Sequence, residues 1–198
     1  MAVAAGIMVP HPPLIVPDVG RGQEILIKDT IKAYQEAAGM AAELKPDTIV
    51  VISPHAVMYA DYFHVSPGKE ARGDFGRFMA PQIGVEAGYD EAFVRELDRL
   101  CGDDDFPMGT EGEREKELDH GTLVPLYFIN QHYRDYKLVR IGGSGLSFAD
   151  HYRAGRYIAR AAENLGRSVF IVASGDLSHK LRGDGPYGYS VQGPEYDE

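Results

Sequence analysis

Four histidines stand where an apolar run gives way to a turn: His11 in VPHPP, His55 in ISPHA, His120 in LDHGT and His179 in GDLSH. Imidazole nitrogens are ligands for iron, zinc and copper, and they titrate near neutrality, so such residues can hold a metal or move a proton. In an open α/β sheet, ligands collect beyond the carboxyl ends of the strands, where residues remote in sequence converge. A lone histidine is more often an ordinary surface or core residue. What raises His11 and His55 above that background is rigidity: prolines flank the first and precede the second, which reduces the entropy lost in fixing a ligand.

His120 follows Asp119 and precedes Gly121, so a tight turn can bring its ring to the sheet edge. His179 follows SGDLS, in which Asp176 could orient a neighbour by hydrogen bonding. For Asp119 and Asp176, helix capping is at least as good a reading as catalysis. His64, His132 and His151 are read as structural or exposed. Iron(II) held by two histidines also calls for a carboxylate. The candidate is Glu195 in GPEYD, with Asp197 and Glu198 as competitors.

Four apolar segments are expected to be the strands that deliver these residues: Val3 to Val9, Asp47 to Ser53, Lys137 to Gly142 and Ser168 to Ala173. The second (DTIVVIS) is continuously apolar and β-branched, as in a strand covered on both faces. A shorter strand is expected at Tyr62 to Ser66. Helical spacing runs from Gly22 to Leu44, Asp90 to Cys101, Thr122 to His132 and Phe148 to Leu165. The stretch around GDFGRFMAP reads as a loop, and so does the acidic run from Cys101 to Leu118. Strands alternating with helices predict a single α/β domain with a central mixed, largely parallel sheet flanked by helices.

The chain has 198 residues, enough for one domain with a core, and its 30 acidic against 20 basic residues give a net charge of -10. Scattered basic residues under that charge argue against nucleic acid. The single cysteine, Cys101, cannot form an internal disulfide. The opening segment lacks a basic region and is broken by prolines, so no signal peptide and no membrane helix are read, and a cytoplasmic location is expected. GPEYDE at the end reads as the first turn of a helix, and residues 1–198 are therefore read as a domain of a longer chain.

The motifs VPHPPLI, VVISPHAVMYADYF, GDFGRFMAP, LDHGTLVPLYF, VASGDLSHKL and GPEYDE, in this order, resemble the LigB-type, class III extradiol ring-cleavage dioxygenases. More narrowly, the chain is similar to the amino-terminal domain of the AmmeMemoRadiSam system protein A family. The resemblance implies metal ligation by His11, His55 and Glu195, an acid/base role for His179 and a place in the substrate pocket for His120. It implies Fe(II) as the metal, with Zn(II) as the alternative found in some relatives. It also implies a catechol-like substrate cleaved with O2. A second implication is a metal-binding module without oxygenase activity, serving a radical-SAM protein partner. Extradiol relatives often assemble, so a homo-oligomer is left open.

Overall fold

The computed structural model describes residues 2–198. Along the chain run β1 (Val3–Val9), α1 (Pro17–Gly20), α2 (Lys28–Leu44), β2 (Thr48–Ser53), β3 (Phe63–His64), β4 (Glu70–Phe75) and β5 (Ala80–Gly88). They are followed by α3 (Glu91–Asp103), β6 (Met108–Gly109), α4 (His120–Ile129), β7 (Lys137–Gly142), α5 (Phe148–Leu165), β8 (Val169–Ser174) and α6 (Gln192–Asp197). The four principal strands form one sheet in the order β1-β8-β2-β7, and every pairing in it is parallel. The expected α/β architecture with a flanked, largely parallel sheet is thus present.

Strand alternation explains the layers. In β2, Ile49 and Val51 point into one core together with Tyr34, Ala38 and Ala41 of α2 and with Leu123 of α4. Val50 points the other way, into a second core built by Phe93 and Leu97 of α3 and by Ala154 and Ile158 of α5. Two helical layers therefore cover a sheet whose central strands are buried on both faces, which is why β2 and β8 read as unbroken apolar runs. β1, at the sheet edge, is only half-buried along most of its length.

Register sets the functional edge. Val9 pairs with Ser174, Ser53 with Gly142, and Ile52 with Ala173, so all four strands finish at one level. The loops that carry His11, His55 and His179 leave from that level.

One expectation fails in the middle of the chain. The stretch read as a loop around GDFGRFMAP is an antiparallel ribbon, with β4 paired to β5 across a short turn of 3-10 helix at Gly76–Phe78. Its inward positions are Ala71, Gly73 and Phe75, too small on average to give a hydrophobic alternation. Gly73 is required by packing: a Cβ there would lie 2.7 Å from the carbonyl oxygen of Leu118. Two further differences are smaller. The helix expected from Gly22 begins as 3-10 turns at Gln23–Ile27 before α2. The strand expected from Tyr62 shrinks to Phe63–His64, paired with Met108–Gly109 from within the acidic stretch.

Candidate metal centre

His11 follows β1 and is buried, 3% exposed. Its backbone N–H donates to Asp176 Oδ1 at 2.8 Å, and the Tyr34 hydroxyl of α2 donates to the preceding carbonyl, Pro10, at 2.6 Å. The loop after β1 is thereby tied to both the loop after β8 and the helix beneath it. Nδ1 of His11 lies 2.9 Å from Ser174 Oγ, at the end of β8.

His55 and His120 are placed by a single carboxylate. Asp119 caps α4, accepting from the Thr122 backbone N–H at 3.0 Å and from its hydroxyl at 2.9 Å. Its Oδ1 also accepts from Ser53 Oγ at 2.6 Å, and Ser53 Oγ in turn accepts from the His55 backbone N–H at 3.1 Å. The fully buried Arg140 of β7 faces the same carboxylate, Nε to Oδ2 at 3.3 Å, and donates to the carbonyls of Glu115 and Glu117 at 3.1 Å each. The capping reading of Asp119 is borne out, and capping here has a geometric result: His120 becomes the first residue of α4, facing His55. Gly121 keeps them close, because a Cβ there would stand 2.4 Å from Ser53 Oγ and 3.3 Å from the His55 ring.

Three imidazoles converge as a consequence. His11, His55 and His120 each offer a ligand atom, all within 4.8 Å of one another. His55 Nε2 lies 3.1 Å from His11 Nε2. Two nitrogens bound to one ion at about 2.0–2.1 Å stand about 3.0–3.4 Å apart, so this pair already has the spacing of adjacent ligands. Burial pushes His120 down to about 4, helped by the neighbouring rings of His55 and His11. His11 is also lowered, chiefly by burial, with Asp176 opposing and His55 adding to the effect. Rings held neutral at physiological pH present lone pairs, the form that binds a metal.

His179 lies outside this trio. It is 47% exposed, with Nε2 at 3.2 Å from Asp176 Oδ2 and its ring against Tyr187. The same Oδ2 is 3.7 Å from His11 Nε2, so Asp176 stands between His179 and the imidazole cluster. Glu195 is exposed on α6 and is not one of the clustered donors. Its helix is fastened to the His179 loop through the Ser178 backbone N–H, which donates to Asp197 Oδ1 at 2.8 Å. Of the histidines read as structural, His64 is buried and faces the Glu111 carbonyl and Glu113, while His132 and His151 are exposed.

A cleft of about 610 Å³ opens beside the trio, lined by His55, His120 and Phe78 and by a largely charged rim that includes Arg77, Glu113 and Lys116. Phe78, on the turn of the β4–β5 ribbon, sets its ring edgewise to His120 at 5.4 Å. Sequence reading missed both Phe78 and Arg77 as lining residues because the ribbon itself was read as a loop. A larger groove of about 1030 Å³ lies between the ribbon and the end of α4. No imidazole lines it, and the smaller cleft is the one next to the chemistry.

Residues 5–198 match the family described as the catalytic LigB subunit of aromatic ring-opening dioxygenase. The chain belongs to the LigB family. This LigB chain is 39% identical, over 198 residues, to a Clostridium acetobutylicum protein that bears only a locus designation; the match covers 96% of this chain and 42% of that protein. It is 26% identical over 160 residues to the 3,4-dihydroxyphenylacetate 2,3-dioxygenase of Escherichia coli, covering 78% of this chain and 57% of that enzyme. The chain thus spans about half the length of these curated relatives. The LigB family is metal-dependent, and the imidazole trio fits that chemistry. Among the described residues, no helix is long and apolar enough to cross a membrane.

Proposed function

We propose that this protein is a non-haem, metal-dependent extradiol-type dioxygenase that opens a catechol-like ring with O2. The observation that carries the reading is the convergence of His11, His55 and His120 on the carboxyl edge of a parallel sheet, with His55 and His120 lining a cleft there. His11 and His55 are the proposed metal ligands. The third donor is Glu195 on the family resemblance, and His120 on proximity. Fe(II) is the metal this reading favours. When bound, such an ion supplies adjacent positions for a catecholate and for dioxygen, and a path for electrons between them.

The chain's own residues supply the rest. Phe78 gives the ring an apolar surface, and His120 sits at the cleft wall beside it. His179 is the proposed acid/base. The His179 ring would take a proton from a substrate hydroxyl at Nδ1 and return it during ring opening, with Asp176 accepting from Nε2–H and holding the ring in place.

A second reading is a metal-binding module that serves a radical-SAM partner, with Zn(II) as the ion. An all-nitrogen cluster that leaves Glu195 outside favours it. Anaerobic loading with Fe(II), followed by oxygen uptake with a catechol, separates the two. Catechol-dependent uptake that His179→Ala abolishes supports the dioxygenase. Iron bound at the trio without uptake above the His179→Ala control defeats it and leaves the module. Affinities of Glu195→Gln and His120→Ala for Fe(II) and Zn(II) identify the third donor.

A further inference from the structure

The end of β8 determines which nitrogen of His11 carries its hydrogen. α4 contains a proline, Pro125, four residues after Gly121. In an α-helix the carbonyl of Gly121 would accept from the backbone N–H of residue 125, and proline has none. That buried carbonyl needs another donor. Ser174 Oγ supplies it, hydrogen-bonding to the Gly121 oxygen across 53 residues of chain.

The consequence follows from proton counting. A serine hydroxyl has one hydrogen, and a carbonyl oxygen can only accept. With that hydrogen committed to Gly121, Ser174 Oγ can meet His11 Nδ1, 2.9 Å away, only as an acceptor. The hydrogen of that contact therefore belongs to Nδ1. In the neutral ring this leaves Nε2 as a lone pair, and Nε2 is the nitrogen that faces His55 Nε2 at 3.1 Å. The opposite tautomer would press two oxygen acceptors together without a hydrogen between them and turn an N–H toward the cluster.

We propose that Ser174 is a positioning residue that fixes the His11 tautomer with Nε2 unprotonated and ready for a metal, and that it can do so because Pro125 leaves the Gly121 carbonyl free to take its hydrogen. The link to metal binding rests on the reading of His11 as a ligand; the tautomer itself does not. A partner that holds the non-ligating nitrogen of a histidine sets both tautomer and ring orientation, and loss of such partners lowers metal affinity about 10–100-fold.

The test is long-range 1H–15N correlation spectroscopy on chelator-treated protein near pH 7, with the His11 signals identified by their loss in His11→Gln. The parent should show a pyrrole-type Nδ1 and a pyridine-type Nε2. Ser174→Ala should shift His11 toward the other tautomer and weaken Zn(II) binding about 10–100-fold by titration calorimetry, while Ser174→Thr, which keeps the hydroxyl, should restore both. A protonated Nε2 in the parent overturns the proposal without any variant. An unmoved tautomer in a folded Ser174→Ala protein overturns it as well. A tautomer that moves while Zn(II) affinity stays unchanged supports the role of Ser174 and instead overturns the ligand assignment of His11.

Discussion

His120 ties folding to acidity. Its folded value of about 4 lies well below the ordinary 6.5, first because the ring is buried and then because His55 and His11 face it. Between those two values the unfolded chain binds a proton that the native protein does not, so stability is complete above pH 6.5 and declines as the pH falls toward 4. At about 1.4 kcal/mol per pH unit, the whole window has a ceiling of about 3.4 kcal/mol. Roughly half of that, about 1.8 kcal/mol, falls between about pH 7 and about pH 5. Partial exposure of the ring at the cleft screens the repulsion and brings the expected loss nearer to about 1 kcal/mol. The assay is urea denaturation of chelator-treated protein at constant ionic strength, run beside His120→Gln, whose side chain has similar reach and does not titrate. The parent should lose about 1 kcal/mol more than the variant between those two pH values. Equal losses in both proteins would refute the argument, because the acid sensitivity would then arise elsewhere.

Three other outcomes are expected. Gly121→Ala should destabilise by about 1–2 kcal/mol in denaturant, since overpacking against Ser53 and His55 outweighs the gain of about 1 kcal/mol in helix propensity, and it should weaken Zn(II) binding measured calorimetrically. Asp119→Ala removes the cap of α4 and strands the buried Arg140 charge, so equilibrium unfolding should show a loss of about 3–5 kcal/mol. Free Zn(II) at about 100 times its dissociation constant should stabilise the parent by about 2.7 kcal/mol; thermal melts of His11→Ala and His55→Ala should show little of that gain.

Much of the scaffold could be read from local chemistry. The four main strands announce themselves because the sheet is covered on both sides, so β-branched and aliphatic residues occupy consecutive positions. His11 and His55 were legible for a related reason: each follows such a run and sits beside proline. The ribbon β4–β5 was not, because it pairs through small residues and glycines dictated by the approach of Leu118, a contact remote in sequence. The contacts that close the cluster were hidden, although His120 was among the histidines expected at the sheet edge. His120 joins His11 and His55 through a capping carboxylate and a glycine whose partners, Ser53 and Arg140, lie on other strands. No spacing rule within LDHGT reveals them. Glu195 shows the reverse case, a residue singled out by motif that stands exposed on α6, apart from the trio.

The strand order carries a temporal consequence. β8 is the last strand of the sheet to leave the ribosome, yet it lies between β1 and β2, the first two. Contacts that seat His11, from its backbone N–H to Asp176 and from its ring to Ser174, span 165 and 163 residues. During synthesis the earliest strand must wait beside an open slot until the residues through Ser174 have emerged, and closing so long a loop places the sheet among slow-folding topologies. The imidazole cluster is thus one of the last features to mature, and a nascent chain would meet the cell's metals with His11 not yet held in register with His55.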